Sequence, residues 1–235
     1  MKVHVNLFNS ETNDLAIVID LLRASTTITM ALNTFNKVIP TNSIEKALEL
    51  KEHEGTVLAG EIKRLKIEGF DLSNSPKEIQ EFSGETLVLK TTNGTKVLEN
   101  IKNRNEDVKI LVGTAINARA VAKKALELAN NDIELVMAGR REKFTIEDMV
   151  GAGLIINELK NIADSENITL DLSELAQVSY LISKDINQAG QLIESSHSAD
   201  KLRALGCSED IKFCKLLNYS DIVPVYTDKH IIKLE

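Results

Sequence analysis

Short apolar runs alternate along the chain with stretches whose apolar positions recur every three to four residues. The runs predict strands at 3–8, 15–20, 56–59, 86–90, 108–112, 133–138 and 222–226. Several, notably LAIVI, TLVL, KILV and IELVMA, are apolar on both faces, the pattern of a sheet covered by helices on both sides. Helical spacing links Ile28, Ala31, Leu32 and Phe35, and then Ile44, Ala47 and Leu48 behind a start signal, Asn42-x-x-Glu45. It returns in Ala118, Val121, Ala122, Ala125, Leu128 and Ala129, over 146–162 and over 172–183. The βαβα order predicts an α/β class: a layered α/β/α arrangement with a parallel or mixed central sheet, and a C-terminal helical portion with a returning strand. Residues 1–235 read as a single domain, with 161–171 the best candidate for a subdivision.

Composition narrows the class. The 235 residues are 43% hydrophobic and 27% charged, enough to bury a core without staples, and the net charge of −7 argues against nucleic acid or an anionic membrane as the main partner. No apolar run approaches a membrane span, and the start lacks a signal-peptide core. Cys207 and Cys214 read as reduced thiols of a cytoplasmic protein, and the four histidines give no zinc pattern. The stretch DIVPVY is a candidate edge strand for a homo-oligomer.

The polar residues are informative by position. Strand 15–20 ends in Asp20, followed by Arg23, Ser25, Thr26 and Thr27; strand 56–59 ends in Gly60-Glu61; strand 86–90 ends in Thr91-Thr92-Asn93-Gly94-Thr95. Strand 108–112 leads into Gly113-Thr114, and strand 133–138 into Gly139-Arg140-Arg141. In open α/β sheets ligands bind beyond the carboxyl ends of the strands. Guanidinium forks and hydroxyls at a helix start suit an anion such as phosphate. The carboxylates Asp20, Glu61, Glu147 and Asp148 would repel it unless a cation intervenes, and an oxygen-only donor set points to Mg²⁺. Each element also has a structural reading: Ser25 or Thr26 as a helix cap, Asn93-Gly94 as a turn, Thr145-x-x-Asp148 as a capped helix start, and Gly151 and Gly153 as helix packing or backbone approach. A P-loop and a dinucleotide fingerprint are absent, and no second Asp follows two residues after Asp20, which leaves a metal-activated water as the default chemistry.

The segments VIDLLRASTTI, AGE, GFDLSNSP, TTNGT, MAGR…TIEDMVGAG and LRALGCSEDIKFC…DIVPVY occur in the order found in the 2-phosphosulfolactate phosphatase family, and the chain resembles that family from about Val3 to Tyr226. The resemblance implies a Mg²⁺-dependent hydrolase converting 2-phospho-3-sulfolactate to 3-sulfolactate in coenzyme M biosynthesis. Asn74 and Ser75 join the residues above in motif positions. The chemistry of the donors, rather than the motif, assigns the metal to Asp20 and Glu61 with Asp148 or Glu147; Asp20, Arg23, Glu147 and Asp148 are catalytic, with Glu147 or Asp148 as base where it is not a ligand. Arg23, Ser25, Thr26, Thr27, Thr91, Thr92, Asn93, Gly94, Thr95 and Arg140 bind a small anionic phosphorylated substrate. After Gly60-Glu61 the family's arginine and glycines are replaced by IKRLKIEG, so Lys63 or Arg64 must substitute if that arginine meets the sulfonate. The alternatives are a phosphatase for another phosphorylated 2-hydroxy acid, or a protein that binds an anionic metabolite without turnover.

Overall fold

The computed structural model describes residues 1–62 and 64–234. From the N-terminus the elements are β1 (Lys2–Leu7), β2 (Leu15–Ile19), α1 (Ala24–Ala31), β3 (Phe35–Thr41), α2 (Ile44–Leu50), β4 (Thr56–Ile62), β5 (Leu65–Lys66), β6 (Gly84–Lys90) and α3 (Asn93–Arg104). Then follow β7 (Lys109–Val112), α4 (Ala118–Leu128), β8 (Asp132–Met137), α5 (Ile146–Glu166), β9 (Asp171–Leu172), α6 (Glu174–Ser183), α7 (Ile186–Glu194), α8 (His197–Ala204), α9 (Ser208–Cys214), β10 (Pro224–Thr227) and β11 (His230–Lys233). The class is α/β with a mixed sheet, as the alternation of periods predicts.

The strands form one sheet in the order β5-β4-β6-β3-β11-β10-β7-β2-β8-β1-β9. β4, β6 and β3 are mutually parallel, as are β7, β2, β8, β1 and β9. The hairpin of β10 and β11 joins the two sets through three antiparallel pairings. One set therefore runs opposite to the other. In a flat sheet their carboxyl ends would lie on opposite edges. A twist of roughly 20–25° per strand, accumulated over the steps from β6 to β2, turns the two sets by about 100° and brings those ends to a common corner.

Side-chain alternation shows how the layers stack. In β2, Ala16 and Val18 face one core with Leu87 and Leu89 of β6, while Leu15, Ile17 and Ile19 face another with residues of α4 and α5. Helices α1 and α3 lie in the first core, between the two halves of the curled sheet, which is why every residue of α1 is buried. Val88 points the other way, onto α2. Leu21 and Leu22, just past β2, pack under Ala189, Ala199, Leu202 and Ile211 of α7 to α9, so the C-terminal helices roof the end of the central strand. Ser173, Asp185 and Ser196 cap α6, α7 and α8 by accepting first-turn amides.

Three expectations change. Phe35 opens β3 rather than closing a helix, because α1 ends at Ala31 and Asn33 and Thr34 turn the chain back onto its carbonyls. Ser43, not Asn42, caps α2 by accepting the Lys46 amide at 3.1 Å. The stretch DIVPVY is no edge: β10 is paired on both sides, and the edges are the two-residue strands β5 and β9. Segment 161–171 is mostly the last turns of α5, which ends at a left-handed Asn167 before β9 joins β1. Cys207 and Cys214 are free thiols, Cys214 buried. Among the described residues no helix is long and apolar enough to cross a membrane.

Candidate active site

Asp20 lies at the centre of the corner. Its backbone N–H donates to Ser25 Oγ at 2.8 Å and its carbonyl accepts the Ser25 amide at 2.9 Å, so the carboxylate is fixed at the mouth of α1. Burial pushes Asp20 up to about 6; Glu61 and Glu147 add to the rise, while the Ala24 amide and Arg64 oppose it. The neighbouring hydroxyls stitch the loop itself. Thr26 donates to the Leu21 carbonyl at 3.0 Å and shares a hydrogen bond with Thr114 at 2.8 Å, and Thr27 donates to the Asn74 carbonyl at 3.4 Å.

Arg23 is only 2% exposed and bonds two carboxylates, Glu61 at the end of β4 and Asp210 on α9. Ser75 donates to the other Asp210 oxygen at 2.6 Å. Against its burial, Glu61 and Asp210 hold the guanidinium firmly charged. Arg23 and Glu61 thus neutralise one another inside the protein. The Leu22–Arg23 peptide bond is cis.

Asp148 is a staple. One oxygen accepts the Leu21 amide at 2.9 Å; the other accepts the Gly139 amide at 2.9 Å and the Thr145 hydroxyl at 2.8 Å. The Thr145-x-x-Asp148 motif therefore starts α5 without a side-chain cap on its own amides, and ties the loops after β2 and β8 together instead. Burial, with Asp20 and Glu147 nearby, raises Asp148 well above the ordinary carboxylate range in spite of these donors. Glu147 is 4% exposed and has no hydrogen-bond partner among the described residues. Gly139 has φ +59°, and an added Cβ would stand 2.2 Å from the Phe8 ring, so only glycine lets this loop present its amide to Asp148.

Opposite Asp20, Asn93-Gly94-Thr95 is not an isolated turn but the first turn of α3. Its N-cap, Thr92, makes no side-chain cap, and no acid stands in that turn. Asp20, Ala24, Ser25, Thr91, Gly94 and Thr95, with apolar residues such as Ile28 and Leu98 beneath them, line a narrow cleft enclosing a cavity of about 10 Å³. A Cβ at Gly94 would lie 3.6 Å from Asp20 Oδ2, so the helix start and the carboxylate are near neighbours. The Thr95 hydroxyl, the Asn74 side-chain oxygen, Arg23 Nε and Arg140 Nη1 are buried with no hydrogen-bond partner among the described residues. Orphaned groups of this kind cost about 1–3 kcal/mol each unless a ligand meets them.

Three residues escaped the sequence reading. Lys90, 9% exposed, ends β6 and directs Nζ to Thr92 Oγ1 at 3.4 Å. A cation closing an apolar strand is the same signal that marked Asp20. Asp210 and Lys201 lie on the roofing helices, and nothing in their local sequence reveals what they face. Lys63 lies outside the described residues; Arg64 donates to Ser198 on α8 at 2.9 Å.

The carboxylates Asp20, Glu61 and Asp148 are not brought together as a closed ligand set, and among the described residues no three His, Cys, Asp or Glu side chains group to hold a metal. Glu61 faces Arg23, and both Asp148 oxygens face amides. Asp20 and Glu147 remain, two mutually repelling oxygen donors without side-chain hydrogen bonds among the described residues. That set fits a Mg²⁺ ion, which is commonly held by one or two carboxylates, with water and substrate oxygens completing its shell.

A positively charged helix mouth beside paired acids is common to many phosphate-handling proteins, so the geometry gives a class; comparison gives the lineage. The family model described as 2-phosphosulpholactate phosphatase matches residues 3–229. A 2-phosphosulfolactate phosphatase of Methanothermobacter thermautotrophicus is 38% identical over 235 residues, covering 100% of this chain and 96% of that protein. A probable 2-phosphosulfolactate phosphatase of Clostridium acetobutylicum is 37% identical over 94% of this chain and 92% of its own length. Another, from Caldanaerobacter subterraneus subsp. tengcongensis, is 38% identical over 88% and 86%. The site residues and these full-length matches agree: the chain belongs to the 2-phosphosulfolactate phosphatase family.

Proposed function

We propose that the protein hydrolyses the phosphate monoester of 2-phospho-3-sulfolactate, giving 3-sulfolactate and phosphate, with Mg²⁺ held by Asp20 and Glu147, in coenzyme M biosynthesis. The observation that carries this reading is Asp20 standing against the open first turn of α3, its Oδ2 3.6 Å from where a Cβ at Gly94 would lie, with the partnerless Thr95 hydroxyl lining the same cleft. When bound, the cation neutralises phosphoryl charge and makes a bound water more acidic.

The remaining work falls to the chain's own groups. Amides at the start of α3, with the Thr95 hydroxyl, donate to the phosphoryl oxygens, where charge develops in the transition state. Lys90, beside Thr92, adds a positive charge at the same end. Arg140 Nη1 supplies a donor to the carboxylate or sulfonate of the substrate. Ser25, Thr26 and Thr27 hold the loop that carries Asp20, and Arg23 acts as a positioning residue locking that loop to β4 and α9. Asp148, saturated by donors, is a positioning residue too, which leaves Asp20 and Glu147 as the acids free to face the cation and its water.

The test is phosphate release from 2-phospho-3-sulfolactate in a Mg²⁺ titration. The reading requires release that rises with Mg²⁺ and is abolished by chelator; ligand binding that ignores Mg²⁺, without turnover, would replace it with a metabolite-binding role.

A further inference from the structure

Among the described residues, four cations on the elements around the cleft have no carboxylate paired to any of them. Arg64 is pinned through Nη2 to Ser198 Oγ, and Ser198 is 3% exposed, which ties the loop after β4 to the first turn of α8. Lys201 stands three positions further along α8, on the same helix face. Arg140 and Arg141 enter from the loop after β8, where Asn93 Oδ1 accepts the Arg141 amide at 3.2 Å. Arg140 chiefly, with some burial and then Arg64 and Arg141, lowers the Lys201 ammonium from its usual value. Like charges gathered without relief form a field that a bound anion would neutralise. Arg64 also acts on Asp20, so this field borders the phosphoester end of the site.

We propose that Arg64, Arg140, Arg141 and Lys201 form a second anion subsite, in which Lys201 and Arg64 select substrates bearing a sulfonate. The proposal rests on the phosphatase reading above and assigns the specificity of that same cleft to α8. A sulfonate is tetrahedral and permanently ionised, and it accepts from several directions. A point-charge ammonium joined to guanidinium donors from two separate loops matches it better than a single fork does.

The discriminating pair of substrates is 2-phospho-3-sulfolactate and 2-phospholactate, which differ only by the sulfonate. Lys201→Met should raise KM for the sulfonated ester about tenfold and leave kcat/KM for 2-phospholactate within about twofold. Ser198→Ala, which frees Arg64 without removing its charge, should move selectivity in the same direction by less. A parallel loss on both substrates, or no change on either, overturns the subsite. If the wild-type protein turns over neither ester, the phosphatase reading fails separately. Calorimetric binding of 3-sulfolactate then decides the subsite: about tenfold weakening by Lys201→Met sustains it, and unchanged binding overturns it.

Discussion

Arg23 and Asp210, 187 positions apart in the chain, meet as a buried ion pair that fastens the loop after β2 to helix α9. Removing one member of such a pair leaves an uncompensated charge in the interior. Arg23→Met, which strands both Asp210 and Glu61, should cost about 3–5 kcal/mol in urea unfolding. A loss under about 1 kcal/mol would show that solvent reaches these carboxylates and that the pair is not a lock.

The shift at Asp20 fixes the sign of a pH effect. Its carboxyl titrates at about 6 in the folded protein, above the ordinary value of 3.8. A raised carboxylate contributes stability that is fully present below the unfolded value and lost as pH climbs through the folded one. In chelator, the melting temperature of wild type minus that of Asp20→Asn should therefore fall between pH 4 and pH 6.5. Excess Mg²⁺ should shrink that fall by favouring the ionised form. A difference that is flat with pH would mean that burial, with Glu61 and Glu147 nearby, does not raise the Asp20 carboxyl.

Asp148 gives a third outcome. Asp148→Ala leaves the Leu21 and Gly139 amides without acceptors, at about 1–3 kcal/mol per buried donor. The variant should lose about 3 kcal/mol in denaturant unfolding and lose activity with it. Activity lost at unchanged stability would instead make Asp148 a direct participant in the chemistry.

Thr95→Val separates ligand binding from folding. The hydroxyl is buried without a partner, so replacing it with a methyl should leave stability unchanged or slightly higher. It should lower kcat/KM about tenfold if phosphoryl oxygen is its acceptor. Unchanged kinetics would place the substrate elsewhere in the cleft.

Much of this fold is written in local pattern, and the residues show where the pattern stops. β2, β6, β7 and β8 are legible because both their faces are buried, leaving continuous apolar runs. β3 is not, because Asn36 and Lys37 are exposed and Pro40 reads as a breaker; β11 touches β3 only through Ile231 and Val38, which leaves room for that proline. α3 shows helical spacing in Val97, Leu98 and Ile101, but Asn93-Gly94 at its head carries the stronger signal of a turn. The ambiguity at Gly153 is settled by packing: a Cβ there would sit 1.9 Å from the Ser179 carbonyl of α6, so the position serves helix contact. At the site, the strand-end acids and Arg140 were legible from position. That Glu61 faces Arg23 and Asp148 faces amides depends on partners 38 and 127 residues away, and no local pattern encodes those.

On the proposed mechanism Asp20 does its work at the phosphoester, at a cost to the fold. The most direct measurement is steady-state phosphate release from 2-phospho-3-sulfolactate by Asp20→Asn, beside its melting temperature at pH 7.5. In this variant kcat/KM should fall by a factor on the order of 10³ while the melting temperature holds or rises. Activity within tenfold of wild type, or a loss that merely tracks unfolding, would contradict that mechanism.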